Sequence, residues 1–138
     1  MGRNKFFRIA ETHFNQLCAK AGLSCNQSNE DERGWDFFVQ AEPEASPHVP
    51  LDLQRKGNAF FVQVKSTKKL SRVRLKLATA LEMAKEPLPF FIILYELNSE
   101  NEPVSVRFLH FWHDEIEITL REARSATGKK DRDIYITL

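Results

Sequence analysis

Cysteine is scarce in this chain: Cys18 and Cys25 are the only two. They are too few for a disulfide framework, and so low a count suits a reducing compartment. Long apolar runs are missing as well, and none approaches the length that crosses a bilayer. The opening stretch from Met1 to Lys5 lacks the apolar centre of a secretory signal. The expected location is therefore the cytoplasm, away from membranes. Net charge is small, +1 at neutral pH, so the chain as a whole exerts no polyelectrolyte pull on nucleic acid. Any such pull must come from a local patch. The five glycines make no phosphate-cradling loop, and no Ser-His-Asp arrangement is visible, which leaves out P-loop and triad chemistry. His110 and His113 have a His-x-x-His spacing, but on a strand their side chains point to opposite faces. Cys18 and Cys25 lack the tight spacing of a zinc knuckle, so zinc is not expected.

What is present is an ordinary globular composition, 42% apolar and 28% charged. The length suits a single domain, residues 1–138, with a real core. Apolar residues at 6, 10, 14, 17, 18 and 21 predict an amphipathic helix from about Asn4 to Ala21. Gly22 suits its C-terminal cap. Ser24 to Arg33 reads as a polar loop whose acidic run is a solvated surface. A strand is expected over Trp35 to Ala41, a proline-rich excursion over Glu42 to Pro50, and a short strand over Leu51 to Gln54. Beyond Lys65, Arg72 to Leu77 alternates as a strand, and Ala78 to Glu86 reads as a helix stopped by Pro87 and Pro89. Phe90 to Leu97 is the most apolar run, a central strand. Val104 to Trp112 predicts another strand, and Asp114 with Glu117 a capping box that opens a helix running to about Ser125. A last strand is expected over Ile134 to Leu138. The chain stops inside that run, as a domain excised from a longer protein would. The expected fold is α/β, a mixed central sheet flanked by helices.

The chain is organised around Ala59 to Thr67. Its Phe- and Val-rich start reads as a buried strand. Gln63 and Lys65 then share one face, with Val62 and Val64 on the other. A buried ammonium needs a partner, because an unpaired buried charge is expensive. The natural partner is Asp36, which opens the expected strand after Gly34 and Trp35. A meander would deliver Asp36 and Lys65 to neighbouring places. Such an acid, with Gln-x-Lys on a later strand, is the layout of a metal-dependent nuclease centre.

Asp36 followed by Gln63, Val64 and Lys65, with Glu11 on a helix before both, resembles the PD-(D/E)xK nuclease superfamily in its Gln-x-Lys variant, as in Mrr-like restriction endonucleases and related defence nucleases. Gln63 stands where an acid is usual, and no proline precedes Asp36. The resemblance implies a restriction-endonuclease-like αβββαβ core and an acid on the first helix, which is Glu11. It also implies magnesium, with manganese able to substitute. In that chemistry Asp36 is the main ligand, with Glu11, the Gln63 amide oxygen and the Val64 carbonyl as further ligands. Lys65 orients the attacking water and stabilises developing negative charge.

Basic residues crowd the stretch just downstream. Lys68, Lys69, Arg72, Arg74 and Lys76 come before any acid, and Arg72, Arg74 and Lys76 share one face of their strand. They make either a phosphate-tracking ridge or an edge strand charged against aggregation. The function expected is a metal-dependent endonuclease acting on double-stranded DNA more than RNA, in defence against foreign DNA. A homodimer or membership of a larger defence complex fits that setting. The rival is a degenerate nuclease-fold module that binds DNA or a partner protein without cutting.

Overall fold

In the computed structural model, which describes residues 5–27, 35–42, 48–53, 58–69, 72–125 and 132–137, the first helix is α1 (Lys5–Lys20). It buries Ala10, Phe14 and Cys18, residues spaced four apart and therefore stacked on one face. Gly22, at φ 73°, ends it in a left-handed turn that a side chain would strain. There Leu23 N–H donates to the Cys18 carbonyl at 2.9 Å and Gly22 N–H to that of Ala19 at 3.2 Å, which satisfies carbonyls the helix leaves open.

Three strands follow as an antiparallel meander: β1 (Ser24–Gln27), β2 (Phe37–Gln40) and β3 (Ala59–Thr67). The strand β1 corrects the expectation of a loop from Ser24. It is short, polar and largely exposed, so no apolar alternation announces it. The rest of that expected loop, residues 28–33, lies outside the described residues. Leu51–Leu53 is one 3-10 turn, not a strand. It closes through Leu53 N–H on the Pro50 carbonyl at 2.9 Å, a turn that the fixed φ of proline favours. Gln54 lies outside the described residues.

The chain then runs through β4 (Arg72–Lys76) and α2 (Leu77–Lys85) into β5 (Phe90–Leu97). β5 pairs parallel with β3, placing Gln63 beside Ile92 and Lys65 beside Leu94. A parallel pair needs a long crossover, and β4 with α2 supplies it. A turn bound to Asn98, whose Oδ1 accepts the N–H groups of Glu100 and Glu102 at 2.9 Å each, leads into antiparallel β6 (Pro103–His110). Helix α3 (His113–Ser125) and strand β7 (Asp133–Thr137) complete the described chain. Glu115, and not the expected Asp114 and Glu117, serves the start of α3, accepting the Trp112 N–H at 3.2 Å. Glu117 instead pairs with Arg121 one turn on, at 2.8 Å.

The fold is α/β: a mixed five-stranded sheet in the order β1-β2-β3-β5-β6, flanked by three helices. One core lies between the sheet and α1, where Phe14 meets Val39, Val62, Val64, Ile93 and Tyr95. The other joins Ile92 and Leu94 to Met83 of α2 and to Leu75, Ile134 and Ile136. β5 feeds both cores, which is why its sequence is apolar without alternation. Each aliphatic side chain so buried contributes about 1.5–3 kcal/mol. β4 is not an edge of the main sheet: it pairs antiparallel with β7 as a separate ribbon. Val73, Leu75, Ile134 and Ile136 of that ribbon point into the second core. Among the described residues no helix is long and apolar enough to cross a membrane.

Candidate functional site

Asp36 sits on the bend before β2, and both its backbone and its side chain are tied to β3. Its N–H donates to the Val62 carbonyl at 2.9 Å, and its Oδ2 accepts the Val64 N–H at 2.7 Å. The first bond continues the β2–β3 register, in which Phe37 faces Val62, so Asp36 comes opposite Gln63. The second holds the carboxylate against the strand between Gln63 and Lys65. Val64 thus gives its N–H to Asp36 and its side chain to the α1 core. The sequence puts the acid here because Phe37 and Val39 must point to that core, which leaves Asp36 and Phe38 to the other side.

Gln63 and Lys65 are half-buried on the face shared with Phe61, which packs against the second core. The Gln63 Oε1 is buried and has no hydrogen-bond partner among the described residues. A carbonyl oxygen left that way costs roughly 1–3 kcal/mol, so it marks a place where packing has not set the choice of residue. Burial pushes the Lys65 ammonium below its ordinary pKa. Asp36 pulls it back up, Arg74 lowers it, Asp133 raises it and Lys76 lowers it. Lys65 therefore lies within the fields of both β2 and the β4–β7 ribbon.

Glu11 reaches the same end of the sheet from the opposite side. It stands on α1, and its Oε2 accepts the Gln27 side-chain N–H at 2.8 Å. Gln27 faces Phe37 in register, one residue from Asp36. The fold therefore brings Asp36, Gln63 and Lys65 together through neighbouring strands, whereas Glu11 arrives from the helix covering the other face.

Of the basic residues, Lys68 and Lys69 are exposed in the turn after β3. The Thr67 hydroxyl closes that turn, donating to the Lys69 carbonyl at 3.0 Å and accepting its N–H at 3.2 Å. Arg72, Arg74 and Lys76 lie on the exposed face of β4, with Val73 and Leu75 buried beneath. The shared cationic face is real, but β7 meets it with groups of its own. Arg72 lies over the Tyr135 ring, 4.1 Å from its centroid, and Arg74 Nε contacts Asp133 Oδ2 at 2.9 Å. Asp133 and Tyr135 are the residues that reading the sequence missed. Their signal is the alternation of residues 133–137, which reveals a strand with one outward face but not the strand it pairs with.

His110 and His113 are parted by the Trp112 ring, with centroid separations of 5.2 Å and 4.2 Å. Among the described residues no group of three or more His, Cys, Asp or Glu gathers to hold a metal ion. A groove of about 1390 Å³, lined by Phe14, Cys18, Phe60, Phe91 and Phe108 among others, lies at the opposite end of the sheet, where β3 and β5 begin. It includes neither Asp36, Gln63 nor Lys65. The latter set lies instead from the middle of β3 onward, with Gln63 beside Ile92 and Lys65 beside Leu94. No protein-family model matches the chain, and a search of curated proteins finds no match.

Proposed function

We propose that this domain is a restriction-endonuclease-like nuclease that cuts phosphodiester bonds in nucleic acid, DNA in preference to RNA, with the help of a divalent cation. The observation that carries the reading is the Asp36 carboxylate, bonded at 2.7 Å to the Val64 N–H between Gln63 and Lys65. The chain order of helix, antiparallel three-strand meander, the ribbon strand β4, helix and parallel strand supports the fold reading. A defence role against foreign DNA, in the cytoplasm and as a homodimer or part of a larger complex, follows from the sequence resemblance.

The donor set fits magnesium or manganese. Asp36 supplies a hard anionic oxygen, and Gln63 supplies a buried amide oxygen without a partner among the described residues. Magnesium keeps several waters and needs only one or two carboxylates. Asp36, Gln63 and the Val64 carbonyl would hold the ion, with Glu11 contributing from α1. When bound, the ion supplies Lewis acidity toward a phosphoryl oxygen and lowers the pKa of a bound water. Asp36 orients that end of the site through its bond to β3. Lys65 places a positive charge beside it, suited to orienting a water and to stabilising charge on the phosphate. The cationic face of β4 would track the backbone of a polymer. A duplex needs such an open surface, not the apolar groove at the far end.

One observation favours a second reading, a module that binds nucleic acid or a protein without cutting. Among the described residues, Asp36 is the one carboxylate bonded to β3 between Gln63 and Lys65, where an all-acid site would hold the ion more tightly. Supercoiled plasmid incubated with the protein and magnesium or manganese, beside an EDTA control, separates the two. The nuclease reading expects nicked or linear product that EDTA abolishes. Intact plasmid with both metals, together with a shift in its gel mobility, would support the binding module.

A further inference from the structure

The ribbon of β4 and β7 presents an unusual neighbour to a cationic face. Arg74 and Lys76 point outward from β4, and Asp133 stands opposite Lys76 in register, on that same face. Its carboxylate contacts Arg74 at 2.9 Å, with the arginine side chain 67% exposed and the acid 25%. The guanidinium is thus reachable from solvent while the acid sits deeper, between two cations. Guanidinium binds carboxylate and phosphate with the same planar fork. An exposed pair of this kind contributes little to the fold, roughly 0.2–1 kcal/mol, so exchanging one anion for another costs little. The same carboxylate acts on Lys65, which ties the ribbon to the proposed centre.

We propose that Asp133 is a built-in counter-ion that occupies the place of a substrate phosphate on Arg74, and that a nucleic-acid backbone displaces it on binding. The inference rests on the nucleic-acid reading above. It makes the ribbon a competitor for its own cations: without a polymer, Asp133 keeps Arg74 ordered and neutralised. A polymer presents many phosphates at once and outcompetes one carboxylate, whereas an isolated anion does not. The ridge then discriminates polymers from small phosphates.

The test is binding of a fluorescently labelled duplex oligonucleotide in EDTA, so that nothing is cut, read by anisotropy over a range of salt. Asp133→Asn and Asp133→Ser should each bind roughly two- to five-fold more tightly than wild type, the scale of one exposed ion pair. The salt dependence should steepen by up to about one unit, because in wild type the displaced carboxylate takes up a cation that offsets one released from the phosphates, and the variants have no such carboxylate. Neither change should occur when Arg74→Ala is already present. Unchanged or weaker binding by the Asp133 variants, with wild type still binding, overturns the proposal and leaves the nucleic-acid reading standing. Tighter binding that survives in Arg74→Ala also overturns it, since bulk charge would then be the cause. If both Asp133 variants lose cooperative thermal unfolding, the pair is structural and the proposal falls. Wild type that binds neither duplex nor single strands removes the nucleic-acid reading, and this inference with it.

Discussion

The proposed centre gives Asp36, Gln63 and Lys65 separate roles, each with a test of its own. Asp36→Asn should keep an acceptor for the Val64 N–H and hence the fold, while losing the charge. Metal binding and any cleavage should disappear with melting temperature nearly unchanged. Gln63→Glu adds a carboxylate at an oxygen that has no partner among the described residues. Attraction to a divalent ion should tighten metal binding by about 1–3 kcal/mol at a partly screened position, as calorimetric titration would show. Equal affinities in the two proteins would mean that Gln63 does not face the ion. Lys65 has its pKa lowered chiefly by burial, so the folded state disfavours the ammonium. Its charge costs stability fully below the folded pKa, and the cost fades as pH rises from there through the ordinary lysine value. Lys65→Met should therefore raise stability at neutral pH by about 1 kcal/mol, the usual size of such a change at a functional position. That rise should shrink at alkaline pH, and activity should be lost. A Lys65→Met protein less stable than wild type at pH 7 would contradict the assigned cost.

At the scale of elements, the β4–β7 ribbon joins two roles, an apolar face in the core and a charged face in solvent. Leu75 is fully buried, so Leu75→Ala should destabilise by about 2–4 kcal/mol through lost apolar burial and the residual cavity, measured by urea unfolding. Arg72→Glu with Arg74→Glu touches only the outer face and should weaken DNA binding while flattening its salt dependence. Unchanged affinity and slope would leave the ridge as a guard against aggregation. The elements legible in the sequence are those whose burial imposes a period. β5 runs from Phe90 to Tyr95 without a charge because it serves two cores, and β4 alternates because it serves one. β1 is illegible because an exposed edge strand has no core to imprint a pattern on it. The Leu51–Leu53 turn reads wrongly as a strand because a short apolar run fits either conformation. Asp36 and Lys65 are legible as a pair because a buried ammonium demands an acid. The contacts of Asp133 and Tyr135 with the ridge depend on which strands pair across more than fifty residues, which no local period encodes.

Across the whole molecule, the parallel pairing of β3 with β5 sets Lys65 beside Leu94. The meander sets Asp36 against β3, and the ribbon brings its cations within reach of Lys65. These relations are long-range, so the centre exists only in the folded domain. Glu11 on one face and the ribbon on the other approach the same end of the sheet, which leaves the broad apolar groove at the far end without part in the proposed chemistry. The central claim is that this end hydrolyses nucleic acid through Asp36. The most direct measurement is conversion of supercoiled plasmid by wild type and Asp36→Asn, each with magnesium, manganese or EDTA. The prediction is that only wild type with a divalent ion yields nicked and linear DNA. Cleavage by Asp36→Asn at the wild-type rate, or cleavage that persists in EDTA, would contradict it.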